Sequence, residues 1–248
     1  MSAARRARWP WVLLILAVVL ATLVVAAELV ARAVVPGVVR SVVIDQLDLP
    51  SDQQMHVEAS GLLLPQLAVG RLDELHLTSD RVTIGGVTGS ADVTATGVPL
   101  QGGALDRAHG TVAIEADQFL ALVEPSDLPV EGIEFQEPDV TVSGTVEVFG
   151  LALPLGLTVT PGADGGELLL TPVSASVAGE LLDLQELSDR FGGLGRELVE
   201  TRRICIADQL PAGITLTGLR IEGTRAVADI AADGRIAVDP ALLENGTC

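Results

Sequence analysis

The chain has 248 residues, a formal net charge of −18, no lysine and an aromatic content of 2%. The excess of acidic residues argues against binding to nucleic acid and against loose docking on anionic headgroups, because both need clustered cations. The scarcity of aromatic residues nearly excludes stacking platforms for bases or sugar rings.

The N-terminal segment is basic and then wholly apolar. Arg5, Arg6 and Arg8 precede a run from Val12 to Ala27 in which no side chain is more polar than Thr22. A secretory signal has about 7 to 15 apolar residues, whereas a membrane-spanning helix needs about 20. The run lies between these lengths, and it predicts either an uncleaved signal anchor, which we favour, or a cleaved signal peptide.

This segment divides the chain into three parts. We predict a cytoplasmic basic stub at residues 1–8, a transmembrane signal anchor at 9–31 and one exported domain at 32–248. Arginines that flank a spanning helix stay on the cytoplasmic side. The domain is therefore expected on the extracytoplasmic, periplasmic side of the cell membrane, as part of a single-pass protein.

The residues after the anchor predict a helix that leaves the membrane, over residues 28–47. Leu29, Val30, Ala33 and Val34 share one face of that helix, and Pro36-Gly37 predicts a kink. Three aspartates close to its end, Asp45, Asp48 and Asp52, have oxygen ligands for calcium. Their spacing fits no twelve-residue calcium loop, so the hypothesis that we favour is a solvated acidic turn.

From Met55 onward the apolar residues recur with a period of two, which is typical of strands. The Asp164-Gly165-Gly166 turn predicts a long hairpin over residues 151–177, and Asp233-Gly234 predicts a second hairpin that leads into a last strand with Ile236 and Val238. Between them, Leu181 to about Arg203 predicts a second amphipathic helix. We therefore expect an α+β fold in which a long, strongly curved antiparallel sheet wraps around one or two amphipathic helices.

Two groups of leucines are candidates for the lining of an apolar groove. Three of them are consecutive and cannot all face inward on a strand, so some should lie at a groove mouth or against the membrane. Ordinary core packing is the alternative for each single leucine. The predicted acyl-chain lining consists of Leu62, Leu63, Leu64, Leu67, Leu151, Leu153, Leu155 and Leu157.

Arginines near the first leucine group are the candidates for contact with a lipid headgroup. Arg40, Arg71 and Arg81 each have a guanidinium fork that suits a phosphodiester. Salt bridges with the abundant acidic residues are the alternative.

Catalytic motifs are absent from the sequence, which has no nucleophile elbow, zinc-protease motif or phosphate-binding loop. His56 with Glu58 is the one pairing that could be considered for a metal, and His56 or His76 would be needed for a lipid hydrolase. We predict a protein without catalytic activity, metal or cofactor.

Cys205 and Cys248 are the two cysteines of the chain. In an oxidising compartment an even pair favours a disulfide over a metal site, and two free thiols are the alternative. A disulfide here would hold the C-terminal tail against the domain.

Several segments resemble one family. They are the helix after the anchor, the pattern from Gly61 to Leu67 followed by Gly70-Arg71-Leu72, the strands around Val82-Thr83-Ile84 and Val93, and the tail from Cys205 through Leu210-Pro211-Ala212-Gly213 to Cys248. Together they resemble the LmeA-like family of actinobacterial, phospholipid-binding envelope proteins, which is named for maintaining lipomannan elongation.

The resemblance implies a fold similar to bactericidal/permeability-increasing protein, a tubular lipid-binding fold with an apolar groove. It implies a membrane-tethered protein that holds or shuttles phospholipid in the cell envelope and supports lipomannan or lipoglycan elongation. The alternative is an envelope scaffold that carries no lipid and binds mannan-assembly enzymes.

Overall fold

The computed structural model describes residues 9–46, 54–84, 87–118, 131–148, 151–182, 184 and 200–248. The described residues form an α+β fold with two α-helices, α1 (Trp9–Gln46) and α2 (Leu63–Val69). The strands are β1 (His56–Ala59), β2 (Arg71–Ile84), β3 (Val87–Pro99), β4 (Arg107–Glu115), β5 (Gly132–Gln136), β6 (Asp139–Val148), β7 (Leu151–Asp164), β8 (Glu167–Val177), β9 (Glu180–Leu182), β10 (Arg202–Cys205), β11 (Ile214–Glu222) and β12 (Arg225–Ala232).

These strands form two antiparallel sheets, where the sequence predicted one continuous sheet. The first sheet has the order β1-β2-β3-β4-β12-β11, and the second has the order β10-β8-β7-β6-β5 with β9 paired to β8. In the first sheet β4 pairs with β3 on one side and with β12, from the C-terminal region, on the other. Strand β5, which follows β4 in the sequence, therefore lies in the second sheet. A two-residue period shows that a segment is a strand but does not show which strand is its neighbour.

The two sheets meet where β11 packs against β7. Val159 of β7 and Leu216 and Ile221 of β11 are all buried. The predicted long hairpin is confirmed as β7 and β8, which are 14 and 11 residues long. Gly165 and Gly166 connect them with positive φ angles of 59° and 89°, which glycine adopts without steric cost.

Helix α1 is continuous from the apolar N-terminal segment through Pro36, so the anchor and the following helix are one element. Its packed stripe consists of Ala31, Val35 and Val39, which contact the core formed by β1, β2 and α2. The face shared by Leu29, Val30, Ala33 and Val34 is exposed and lies outside this packed stripe. Nearly every side of the helix is apolar. The hydrophobic periodicity of the sequence therefore does not show which side packs against the domain.

Helix α2 is the short element formed by the consecutive leucines. Gly61 and Gly70 flank it with φ angles of 81° and 78°, and Gly70 is its left-handed C-cap. Leu63 is 1% exposed and Gln66 is buried beside it. The Gln66 side chain donates to the Ser60 carbonyl and accepts from the Asp73 backbone N–H, so α2 is fixed to the start of β2.

The predicted C-terminal hairpin is wrong, because Asp233 instead caps a 3-10 helix over Gly234–Ala237. Ile236 lies in that helix and Val238 follows it, so neither extends the sheet. The side chain and backbone N–H of Arg235 donate to Asp233, and these bonds lower the pKa of the Asp233 carboxyl to about 2. A Cβ at Gly234 would lie 1.8 Å from the Leu105 carbonyl oxygen, so close packing also requires glycine here.

The predicted second helix is wrong at both ends, since Leu181 lies in β9 and Arg203 lies in β10. Most of its predicted interior falls outside the described residues, as do Asp48 and Asp52. The predicted disulfide is confirmed: Cys205 and Cys248 are joined, with 5.9 Å between their Cα atoms.

Candidate functional site

A cleft of about 670 Å³ lies where the C-terminal half of α1 runs along β1. Val57 of β1 turns inward to the core, while His56 and Glu58 turn outward, as the strand alternation requires. We call this space the helix–strand cleft. Its lining residues are Arg32, Pro36, Gly37, Arg40, Met55, His56, Val57, Glu58, Ala59, Ser60, Gly61 and Leu63.

Two guanidinium groups line the helix–strand cleft, and the one on Arg32 is paired with Glu28. Arg32 and Arg40 lie eight residues apart on α1, a rise of about 12 Å. Opposite them, the His56 imidazole lies 3.0 Å from the Glu58 carboxylate, and both side chains are largely exposed. A guanidinium matches the oxygens of a phosphate in two parallel hydrogen bonds, so the helical wall of the cleft suits a phosphate group.

A second cavity, of about 340 Å³, lies between α1 and α2 and is almost wholly aliphatic. We call it the apolar notch. It is lined by Val24, Val25, Glu28, Leu29, Arg32, Leu62, Leu64 and Pro65. Arg32 lines both the notch and the helix–strand cleft, so one cation stands where an almost wholly apolar cavity meets a cleft with both polar and apolar lining.

Glu28 and Arg32 hold α2 against α1. The two carboxylate oxygens of Glu28 accept the backbone N–H groups of Leu63 and Leu64, at 2.9 and 3.0 Å. Arg32 donates to Glu28 at 3.0 Å and to the Gly61 carbonyl at 2.8 Å. We call these four bonds the Glu28–Arg32 clamp.

The clamp replaces a cap that α2 lacks. The residue before α2 is Leu62, which has no side-chain acceptor, so the first N–H groups of the helix need a partner from elsewhere. A carboxylate is the preferred partner at a helix N-terminus, because it satisfies the N–H groups and opposes the helix dipole. Glu28 supplies this partner from 35 residues upstream in the sequence.

The first predicted leucine group divides between core and cavity. Leu63 is buried in the core and Leu67 is packed against it, whereas Leu62 and Leu64 line the apolar notch. Leu62 is 62% exposed. The structure therefore places two of the four at an open cavity beside α1, and this division follows from the helical geometry of α2.

The second predicted leucine group lies elsewhere, on β7 of the second sheet. Leu153 and Leu155 are half-buried and Leu157 is 42% exposed, while the side chain of Leu151 lies outside the described residues. The main contacts of β7 are with β6, β8 and β11, and those of α2 are with α1 and β2. The role of these leucines as an acyl-chain lining stays a prediction.

The predicted headgroup arginines are also separated by the fold. Arg40 lines the helix–strand cleft. Arg71 forms an ion pair with Asp106, and Arg81 lies exposed on β2. Sequence reasoning missed Arg32, although its spacing of four residues from Glu28 is typical of a helical ion pair and could have drawn attention to it.

Two of the three histidines, His56 and His76, are each close to one carboxylate. The His76 imidazole lies 2.8 Å from Asp92, and the His56 imidazole pairs with Glu58. Within the described ranges, no three His, Cys, Asp or Glu side chains are grouped so that they could hold a metal ion.

The sequence model of one protein family, described as LmeA-like phospholipid-binding, matches residues 26–228. The chain belongs to this LmeA-like family. The matched range starts two residues before Glu28, so it contains the Glu28–Arg32 clamp, α2 and the helix–strand cleft. Membership supports phospholipid binding as the activity of the domain. Neither curated proteins nor solved structures show a significant match to the chain.

Proposed function

We propose that this protein is a membrane-tethered, extracytoplasmic phospholipid-binding protein that uses the helix–strand cleft and the apolar notch. The observation that carries the proposal is the position of Arg32, which stands between an almost wholly aliphatic cavity and a cleft whose lining includes polar and charged side chains. A phospholipid has the same order of parts: an acyl chain, a phosphate and a polar headgroup. We assign the acyl chain to the notch, the phosphate to Arg32 and Arg40, and the headgroup to the side of His56 and Glu58.

The length of α1 supports this assignment. Helix α1 includes a segment, Trp9–Ser41, that is long and apolar enough to cross a membrane, although a signal sequence would pass the same test. From Trp9 to Glu28 the helix rises about 30 Å, which is the thickness of the hydrocarbon core of a bilayer. If Trp9 lies at one interface, Glu28 and Arg32 reach the other, at the level of lipid phosphates.

The notch would bind an acyl chain through its aliphatic side chains. Moving one methylene from water into such a space gains about 0.8 kcal/mol. A lipid that enters from the adjacent leaflet gains little from this term, because its chain is already out of water. Selection of the lipid is therefore assigned to Arg32, Arg40 and the polar side of the cleft.

The wider role follows from the family and from the basic N-terminus. Arg5, Arg6 and Arg8 favour a cytoplasmic N-terminus and an external domain. On this basis we propose that the protein holds or shuttles phospholipid in the cell envelope and supports lipomannan or lipoglycan elongation. The tubular enclosure implied by the likeness to bactericidal/permeability-increasing protein belongs to this proposal.

The test is photo-crosslinking in vesicles. The full-length protein is reconstituted with an anionic phospholipid that carries a photoactivatable group in one acyl chain, and the crosslinked peptides are mapped by mass spectrometry. We expect crosslinks in residues 24–40 and 55–65, and a severalfold lower yield for Arg40→Ala. The control is Arg225→Ala, which removes an exposed arginine on β12.

Two outcomes would contradict the proposal. Equal yields for the Arg40 and Arg225 variants would remove the phosphate assignment. A folded protein without crosslinks at the notch or cleft would favour the scaffold that carries no lipid.

A further inference from the structure

The outward face of α2 is apolar, which is unusual for a surface helix. A surface helix normally turns polar side chains to water. The one polar side chain in α2 is that of Gln66, which is buried. Its amide nitrogen donates to the Ser60 carbonyl, and its amide oxygen accepts from the Asp73 backbone N–H. The outward positions are Leu62, Pro65, Ala68 and Val69, and Val69 is 80% exposed. No charged residue lies in α2.

This apolar face is continuous with the apolar surface of α1. Leu62 and Leu64 share the notch with Val24, Val25 and Leu29, which belong to the last turns of the predicted span. Val25 and Leu29 are 59% and 62% exposed, so both helices present aliphatic side chains beside one another. The surface that would contact lipid on α1 thus extends laterally onto α2.

The Glu28–Arg32 clamp fixes α2 in this position. Three of its four bonds join side chains of α1 to the backbone of Gly61, Leu63 and Leu64, and the fourth joins Arg32 to Glu28, so none depends on the outward side chains. Leu63 on the inner side of α2 is almost fully buried in the core. An apolar face that is held this firmly beside a membrane span has the properties of an interfacial anchor.

We infer that α2 is a membrane wedge whose outward face inserts into the leaflet at which α1 leaves the bilayer. This inference rests on the membrane tether of the proposed function. The occupant of the apolar face is the lipid of the protein's own membrane. A second, fixed contact with the leaflet keeps the domain from swinging about α1 and holds the mouth of the helix–strand cleft at the headgroups.

The experiment measures the depth of a fluorescent probe in the bilayer. The native cysteines are joined in a disulfide, so Leu62→Cys introduces the one free thiol of the full-length protein for labelling with an environment-sensitive dye. The control is Leu243→Cys, at a leucine with matched exposure, 61% against 62%. Leu243 lies in the 3-10 helix Pro240–Leu243, which bonds to the chain just before β11 at the far edge of the first sheet.

In vesicles of phosphatidylcholine and phosphatidylglycerol, we expect blue-shifted emission at position 62 and severalfold stronger quenching by lipids with a spin label high in the acyl chain. The dye at position 243 should show the emission that it has in water. A dye on Val69→Cys should show the same blue shift and quenching as the dye at position 62. It provides an independent measurement if labelling at position 62 disturbs α2. Aqueous emission at both 62 and 69 would overturn the inference.

Two further readings identify the cause of a failure. Energy transfer between labelled copies, with no quenching by spin-labelled lipid, would mean that a second copy covers α2 and would overturn the wedge. The crosslinking of photoactivatable lipid is measured on the unlabelled wild-type protein, because Leu62 lines the notch. If the dyes at positions 62 and 69 emit as in water while lipid crosslinking is intact, the wedge alone is rejected. If these dyes lie in the bilayer but no lipid crosslinks form, the lipid site alone is rejected.

Discussion

Glu28 joins two parts of the chain that are far apart in sequence. Its carboxylate accepts two backbone N–H groups of α2 and an Arg32 side-chain donor, and it lies where α1 would leave the membrane. One acidic residue thus substitutes for the missing cap of α2 and neutralises an arginine beside an apolar surface. At that depth a charge without a partner would be costly, and the pairing removes this cost.

Replacing Glu28 by glutamine should weaken the attachment of α2. The amide has one acceptor oxygen in place of two and no charge for Arg32, so at least one N–H group of α2 loses its partner. We expect the free energy of unfolding to fall, and to fall clearly more than for a substitution at an exposed glutamate. Denaturant unfolding of the detergent-solubilised protein measures this change. Glu180→Gln on β9, an exposed position, is the control and should change stability by less than about 0.5 kcal/mol. Equal effects of the two substitutions would contradict the role of the clamp.

Helix α2 shows how an element of seven residues separates neighbouring leucines into different roles. Leu63 is 1% exposed and Leu62 is 62% exposed, although they are adjacent in sequence. Leu62 is the extended residue before α2 and Leu63 is the first residue of the helix, and across this boundary one side chain faces outward while the other reaches the core. The inner leucine serves folding, and the outer one is available for lipid.

Alanine at Leu63 should therefore destabilise the protein much more than alanine at Leu62. We expect Leu63→Ala to cost about 2–5 kcal/mol, because it removes a buried side chain and leaves a cavity. Leu62→Ala should change the unfolding free energy by less than about 0.5 kcal/mol. Thermal or denaturant unfolding in detergent compares them. A large loss of stability from Leu62→Ala would show that this side chain is part of the core.

At the scale of the whole molecule, the described residues form the long helix α1, the short helix α2, two sheets and a tail that is bonded to the domain at several points. Backbone bonds link residues 242–246 to residues 210–213. The disulfide from Cys205 to Cys248 closes a loop with a sequence separation of 43. This loop contains β11 and β12, and β12 completes the first sheet by pairing with β4. The crosslink therefore restrains the segment that connects the two sheets.

Removing the disulfide should destabilise the domain without preventing strand pairing. For a loop of this length the chain-entropy relation predicts a loss of roughly 4 kcal/mol in the Cys205→Ser/Cys248→Ser double variant. Calorimetry of the oxidised wild type and the double variant measures the shift. An unchanged unfolding temperature would mean that the backbone bonds of the tail suffice.

Much of this architecture could be predicted from local sequence patterns. The period-two segments identified most of the long strands, and the adjacent glycines at 165 and 166 located the turn of the β7–β8 hairpin. Two errors share one cause. Asp233-Gly234 was assigned to a hairpin and Leu181 to a helix, but capping by Asp233 and pairing of β9 with β8 depend on neighbours that the local pattern does not contain.

By itself, the amino-acid sequence determined the apolar helix, the antiparallel α+β class, the disulfide and the family, because each depends on residue types or short spacings. Only the tertiary structure decided the division into two sheets, the face of α1 that packs, and the meeting of Arg32, Arg40, Leu62 and Leu64 around two cavities. These features depend on contacts between residues about 30 positions apart or more. The packing of α2 on α1 forms the cavities and the pairing of β12 with β4 completes the first sheet, and no local periodicity encodes either contact.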